Sequence, residues 1–336
     1  MKYLALTKPT LTKKMTAIAM AFIFATGASF ANEIKLAMNG KDDVASNAEA
    51  AYAHGFSDSI ASLGSKVIIF PSNSIGNEKE RLGQVSQGLI QVNLATSSTP
   101  ISMSPFMRGV TLPFLFNGVD EFDKVMANSD LVERINRDLV PNGVRLMGFN
   151  MSGLDAGMHN TNLPVTKLLD MSELRMRAMN ASQVKFYSAL GASSTIVSWA
   201  EVANALQTGI AQGYMNAPNS SIRTGHTQFL KHFTNMAIFP PARPILVSED
   251  WYAGLSTSER ANVDAANSAG IAANRAWLVD WADKISIKFS EAGVTVSDLD
   301  AGERKKFEAA AASTYAELLS PETLETYKQA IATVRK

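Results

Sequence analysis

Residues 258 to about 291 contain no proline, and Leu278, Trp281, Ile285 and Phe289 fall on one helical face. At 1.5 Å per residue such a helix is about 50 Å long. A helix of that length outreaches one domain, so the chain around it must supply two bodies for it to lie across. Length agrees: with residues 1–31 set aside as a leader, 305 residues remain (336 − 31), enough for two domains of about 150 residues, each burying a core. No Gly/Ser- or Pro-rich linker and no internal repeat divides them. The chain is therefore expected to cross between the domains more than once, with 32–153 plus 242–281 forming one and 154–241 plus 282–336 the other.

The leader itself has a signature. Residues 1–15 carry Lys2, Lys8, Lys13 and Lys14 and no acid, residues 16–28 are an apolar run, and Ser29-Phe30-Ala31 offers small residues where a signal peptidase reads. A secretory signal peptide cleaved after Ala31 is expected, placing the mature protein in the periplasm. Export with zero cysteines leaves the cores to supply stability without disulfides. The mature chain keeps 27 of 31 Lys and Arg and all 31 Asp and Glu, a net 27 − 31 = −4, which does not favour nucleic acid as a partner.

Strand and helix patterns alternate, the mark of an α/β fold. Strands are expected at 33–39, 66–70, 90–95, 144–149, 174–180, 195–198 and 210–216. Helices are expected at 45–63, capped by a Ser46/Glu49 box, at 77–88, capped by Asn77 with Glu80, and at 182–190 and 199–207. The Met and Phe residues after 116 read as the core face of a helix interrupted near Ser129-Asp130. Further helices are expected at 301–318 and 321–334. Glu78, Lys79, Glu80 and Arg81 read as a solvated charged face. Residues 236–247 contain Pro240, Pro241 and Pro244, which points to irregular or edge-strand geometry.

In 174–180, Leu174, Met176 and Ala178 alternate with Arg175, Arg177 and Met179, the period of a half-buried strand. Arg177 thus projects near the strand's carboxyl end, where open α/β sheets hold ligands, and its planar fork suits a carboxylate. An arginine paired with a surface acid is the competing reading at this point. Thr96-Ser-Ser-Thr99 follows another strand and offers hydroxyls to an anion, or forms an ordinary polar loop before Pro100.

The ordered series Leu174-Arg-Met-Arg, Ala189-Leu-Gly-Ala192, Trp199-Ala-Glu-Val, Ala205-Leu-Gln-Thr-Gly209 and Gln212-Gly-Tyr-Met-Asn216 resembles the signature of TRAP transporter solute-binding proteins, the DctP family. Phe70-Pro-Ser-Asn-Ser-Ile-Gly76, Leu112-Pro-Phe-Leu-Phe116, Val247-Ser248 and Gly293-Val-Thr-Val296 resemble further landmarks in the family's order. The resemblance implies a two-domain periplasmic-binding-protein (Venus-flytrap) fold with a long helix spanning both domains, closing on a small organic acid. It implies Arg177 as the carboxylate-binding arginine, Asn216 as its amide partner and Trp199 as a pocket wall. Thr96, Ser97, Asp155, Asn180 and Tyr214 complete the candidate ligand-binding residues. The implied partners are the small and large integral-membrane subunits of an ion-gradient-driven permease, and a monomer is expected. Many relatives carry a second arginine where this chain has Gly157, with Asp155 beside it. The expected ligand therefore has one carboxylate and a hydroxyl or ammonium group, and is not a plain dicarboxylate.

Chemistry is thin elsewhere. His54, His159, His226 and His232 lack metal-ligand spacing, and there is no G-x-S-x-G, P-loop or G-x-G-x-x-G. Ser182-Gln-Val-Lys185 matches S-x-x-K without its companion motifs. Neither metal, cofactor nor catalytic group is expected. The alternatives kept open are a receptor for an ATP-driven transporter or sensor, and an exported enzyme.

Overall fold

The computed structural model describes residues 33–335, so the expected signal peptide and its cleavage site lie outside the described residues. The chain first lays down β1 (Glu33–Ala37), α1 (Ala48–Ala61), β2 (Lys66–Phe70), α2 (Glu78–Ser86), β3 (Val92–Leu94), α3 (Val119–Ala127), α4 (Leu131–Leu139) and β4 (Val144–Met151). It then builds β5 (Gly157–Asn160), β6 (Arg175–Ala178), α5 (Ala181–Ala189), β7 (Ser193–Ile196), α6 (Val202–Gln207), β8 (Gly213–Asn216), α7 (Pro218–Arg223) and β9 (His232–Asn235). It returns through β10 (Ala242–Ser248), α8 (Glu249–Gly254) and α9 (Thr257–Glu291), and ends with β11 (Thr295–Asp298), α10 (Glu303–Ala312), α11 (Tyr315–Leu318) and α12 (Pro321–Val334).

These strands form two sheets, ordered β2-β1-β3-β10-β4 and β11-β9-β5-β8-β6-β7. The chain passes from one sheet to the other after β4, after β9 and along α9, and returns to the first sheet's side at α12, so it crosses four times. In the second sheet β6 runs parallel to both β7 and β8, which brings the ends of β6 and β8 to the same edge. Where sequence and structure agree, the cause is local. Ile34 and Leu36 are fully buried while Glu33 is exposed, as alternation requires. Asn77 caps α2 with Glu80 answering its backbone amide.

Three expectations are corrected. Asn47, rather than Ser46, caps α1 by accepting from the Glu49 amide at 3.2 Å; Ser46 is taken by Asp43, and the Glu49 side chain turns inward. The segment with Pro244 is no edge strand: β10 is held between β3 and β4, and the ladder to β4 slips between Pro244 and Leu246, where the missing amide is accommodated. Glu78 and Arg81 are not a solvated face. With Leu82 and Val85 at helical spacing from Glu78, α2 turns that stripe toward the core, and Arg81 is 0 % exposed.

The long helix runs 35 residues and packs along α1 at one end and against α7 and β11 at the other. Trp277 and Trp281 stack on each other and donate to the Val44 and Ala45 carbonyls at 2.8 and 3.3 Å, holding the helix to the loop before α1. Phe289, near its end, packs on Phe233 of β9. The last helix returns to the first sheet's side: the Tyr327 ring stacks on Phe106, and Arg335 pairs with Glu121 at 2.6 Å.

Candidate ligand-binding site

Arg177 is the third residue of β6 and is only 5 % exposed. Its Nε donates to the Val197 carbonyl at 2.8 Å, and its guanidinium carbon lies 5.5 Å from the Trp199 ring centre. The two terminal nitrogens have no hydrogen-bond partner among the described residues. Burial is the largest influence on this group and lowers its pKa; the Tyr187 and Tyr214 side chains act the other way, and no carboxylate is among the influences. Since arginine keeps its proton regardless, the cost of burial remains as a demand for an anion.

Asn216 ends β8, and its Oδ1 accepts from the Ala217 amide at 2.9 Å, which leaves the side-chain amide hydrogens without a protein partner among the described residues. Trp199 lies in a 3-10 turn ahead of α6, with 37 % of its surface exposed and its ring edge-on to Tyr214 at 5.5 Å. Tyr214 itself is fully buried, its hydroxyl 3.2 Å from His226 Nδ1, and burial pushes its pKa far up. It supports Trp199 from behind. Asn180 caps α5 by accepting from the Gln183 amide at 3.0 Å.

Between the two sheets lies a cavity of about 170 Å³ whose wall includes Asn180, Asn216, Thr96, Ser97, Ser152 and Arg243. Arg177, Trp199, Tyr214 and Asp155 are not part of that wall. Thr96 and Ser97 sit at its edge with their hydroxyls engaged: Thr96 donates to the Glu78 carboxylate, and Ser97 to the Ala242 carbonyl at 2.7 Å. Asp155 faces elsewhere. Its carboxylate stands over Gly118 at the start of α3, with one oxygen buried and unpartnered. Burial, with Asp120 nearby, pushes its pKa up to about 6 against the pull of the Val119 amide and Arg304.

A buried polar cluster behind Thr96 went unread in the sequence. Arg81 donates to Asn93 at 2.9 Å and to Asn73 and Asn39. Burial pushes the Glu78 carboxyl up, but Arg243 and the hydrogen bonds from Thr96, Asn39 and Thr99 outweigh it and leave the pKa below the usual range. Arg243 sits 3.5 Å from Glu49 and 3.4 Å from Glu78. The signal available was helical phase: Glu78 lies four residues before Leu82, on the inward face.

Residues 64–322 match the model of the DctP family, bacterial extracellular solute-binding protein family 7. The chain belongs to this family. It is 27 % identical over 170 residues to YiiZ of Salmonella typhimurium, a match covering 50 % of this chain and 52 % of that protein. It is 24 % identical over 284 residues to the ectoine/5-hydroxyectoine-binding periplasmic protein UehA of Ruegeria pomeroyi, covering 83 % of each. A TRAP periplasmic solute-binding protein from Anaerococcus prevotii, solved with bound D-glucuronate, superposes with a TM-score of 0.80 at 21 % identity, over 90 % of this chain and 97 % of that one. The α/β fold of two sheets joined by a long helix is therefore the fold of this DctP-family receptor.

Proposed function

We propose that the chain is a periplasmic receptor that captures a small organic acid between its two lobes and delivers it to a TRAP-type, ion-gradient-driven permease with small and large membrane subunits. The observation that carries this reading is Arg177, a buried guanidinium with two free donors, no acid beside it, and the free Asn216 amide at the same edge of the sheet. The ligand carboxylate takes the Arg177 fork and the Asn216 amide, and Trp199, beside the Arg177 guanidinium, walls that end of the ligand. The lobes that close on it are those built on the two sheets, with the expected bounds 32–153 plus 242–281 and 154–241 plus 282–336 amended in that α12 joins the first lobe through Tyr327 and Arg335. Because the ligand touches both only when the cleft is shut, it shifts the population toward the closed form. Closure also removes water, which strengthens the charge pair. Export through the leader ending at Ala31 places this in the periplasm, as a monomer without cofactor.

Calorimetric titration with an organic-acid library tests the assignment. Arg177→Ala and Arg177→Lys should each weaken binding at least tenfold, since a hydrogen bond to a charged group contributes about 1.5 to 3 kcal/mol and lysine cannot reproduce the fork. Unchanged affinity in Arg177→Ala removes the site from β6. Recovery of the ligand unaltered after release separates a receptor from an enzyme.

A further inference from the structure

The 170 Å³ cavity has Asn216 of the candidate carboxylate site in its wall. An apolar cavity of about 150 Å³ is enough for a benzene ring. Several of the polar groups in this wall are spent. Thr96 and Ser97 are held as described, Thr111 donates to the Arg108 carbonyl at 2.9 Å, and Ser152 donates to the Pro241 carbonyl at 3.3 Å. The side-chain oxygen of Gln183 accepts from the Met179 amide at 2.8 Å. Ser182 and the side-chain amide nitrogens of Asn180, Gln183 and Asn216 have no partner among the described residues, and much of the rest of the wall is carbon: Ile101, Val110, Leu112, Phe186, Phe239 and Leu318. At the Arg243 end Glu49 and Glu78 face Arg243, with Arg81 drawing on both carboxylates and Arg223 on Glu49, and Arg108 at the rim is partly exposed.

We infer that the ligand is a carboxylic acid with an apolar body, a branched alkyl or aryl group seated among Phe186, Phe239 and Leu318. This rests on the Arg177–Asn216 carboxylate reading and narrows it. Each methylene moved into such a wall gains about fourfold in affinity. Each ligand hydroxyl left there without a partner loses roughly tenfold.

Calorimetry of the mature protein with lactate, 2-hydroxyisocaproate, 3-phenyllactate, D-glucuronate and adipate tests it. The expected result is binding of 2-hydroxyisocaproate or 3-phenyllactate at least tenfold tighter than lactate, glucuronate and adipate, with a negative heat-capacity change. Phe239→Ser, and separately Leu318→Ser, should erase most of that margin, read as the ratio of apolar-acid to lactate affinity in each variant shown to be folded by circular dichroism. Glucuronate or adipate binding tighter than both apolar acids overturns the inference. If that binding is lost in Arg177→Ala, the carboxylate site survives and only the apolar class falls; if no acid binds the unaltered protein, both fall.

Discussion

Gly157 is the residue at which space, and not backbone conformation, decides identity. A Cβ there would stand 2.4 Å from the Phe233 ring and 2.4 Å from the Thr234 carbonyl oxygen on the neighbouring strand. The carbonyl belongs to the ladder and cannot withdraw, so the second arginine that the family resemblance implies at this spacing has no room for even its first carbon. Gly157→Ala should cost about 1 to 3 kcal/mol through overpacking. A shift of the urea midpoint at constant slope measures this, and an unchanged midpoint removes the argument. Asp155, two residues earlier, is a site of pH dependence. Its pKa is raised to about 6 from the ordinary 3.8, so the folded state binds the proton more tightly than the unfolded chain. Stability is therefore unaffected by this group below about pH 4, falls as pH rises from about 4 to 6, and stays lowered above. The cost is of order 2 kcal/mol after allowing for solvent access. Asp155→Asn should remove that part of the decline in melts from pH 4 to 7. Parallel profiles for the two proteins count against the assignment.

At the scale of elements, α2 is amphipathic in an uncommon way, since its inward face carries Glu78 and Arg81 beside Leu82 and Val85. The helix is held by polar satisfaction as much as by apolar burial. Arg81 supplies donors to Asn39, Asn73 and Asn93, and Asn93 is itself fully buried in β3. Arg81→Met fits the volume but strands four acceptors, the Gly76 carbonyl being the fourth, so a loss of about 3 kcal/mol is expected in chemical denaturation. Because Glu78 holds Thr96 through both its amide and its hydroxyl, the same variant should also loosen the cavity rim and weaken ligand binding. Full retention of stability would show the cluster to be dispensable. The long helix depends on different chemistry. Its Ser256–Glu259 capping box closes its start, the paired indoles at Trp277 and Trp281 tie it past its middle to the loop before α1, and Phe289 fixes its end to β9.

For the whole molecule, two lobes joined by four passages of chain should move as units, and a ligand that bridges them should compact the protein. Saturation at about 100 times Kd should raise stability by about 2.7 kcal/mol. X-ray scattering should show a smaller radius of gyration under the same conditions. In a variant retaining Trp199 as its sole tryptophan, fluorescence should shift on binding, because that ring is part exposed and adjoins Arg177. Stabilisation without compaction or a fluorescence change would place the ligand outside the cleft.

The sequence by itself determined what depends on near neighbours in the chain. The strand at Arg177, the Asn77 cap, the break between α3 and α4 and the proline-free run of α9 follow from local pattern and appear in the structure, but the expected half-buried alternation does not: Met176, Arg177 and Ala178 are all buried, because β6 is covered on both faces. Motif order supplied the family, and with it the candidate residues that periodicity alone left open. Contacts between segments far apart in sequence were decided only by the tertiary structure. The inward turn of Glu78 and Arg81 needs Asn39, Asn93 and Arg243 as partners, and the place of Pro244 inside a sheet needs β3 and β4 on either side. The orientation of Asp155 toward Gly118, and the engagement of the cavity's hydroxyls by carbonyls and a carboxylate, belong to the same class. A polar side chain's sequence states only what it can bond; which of those bonds are already made is a property of the folded neighbourhood, and that determines which groups remain free for a ligand.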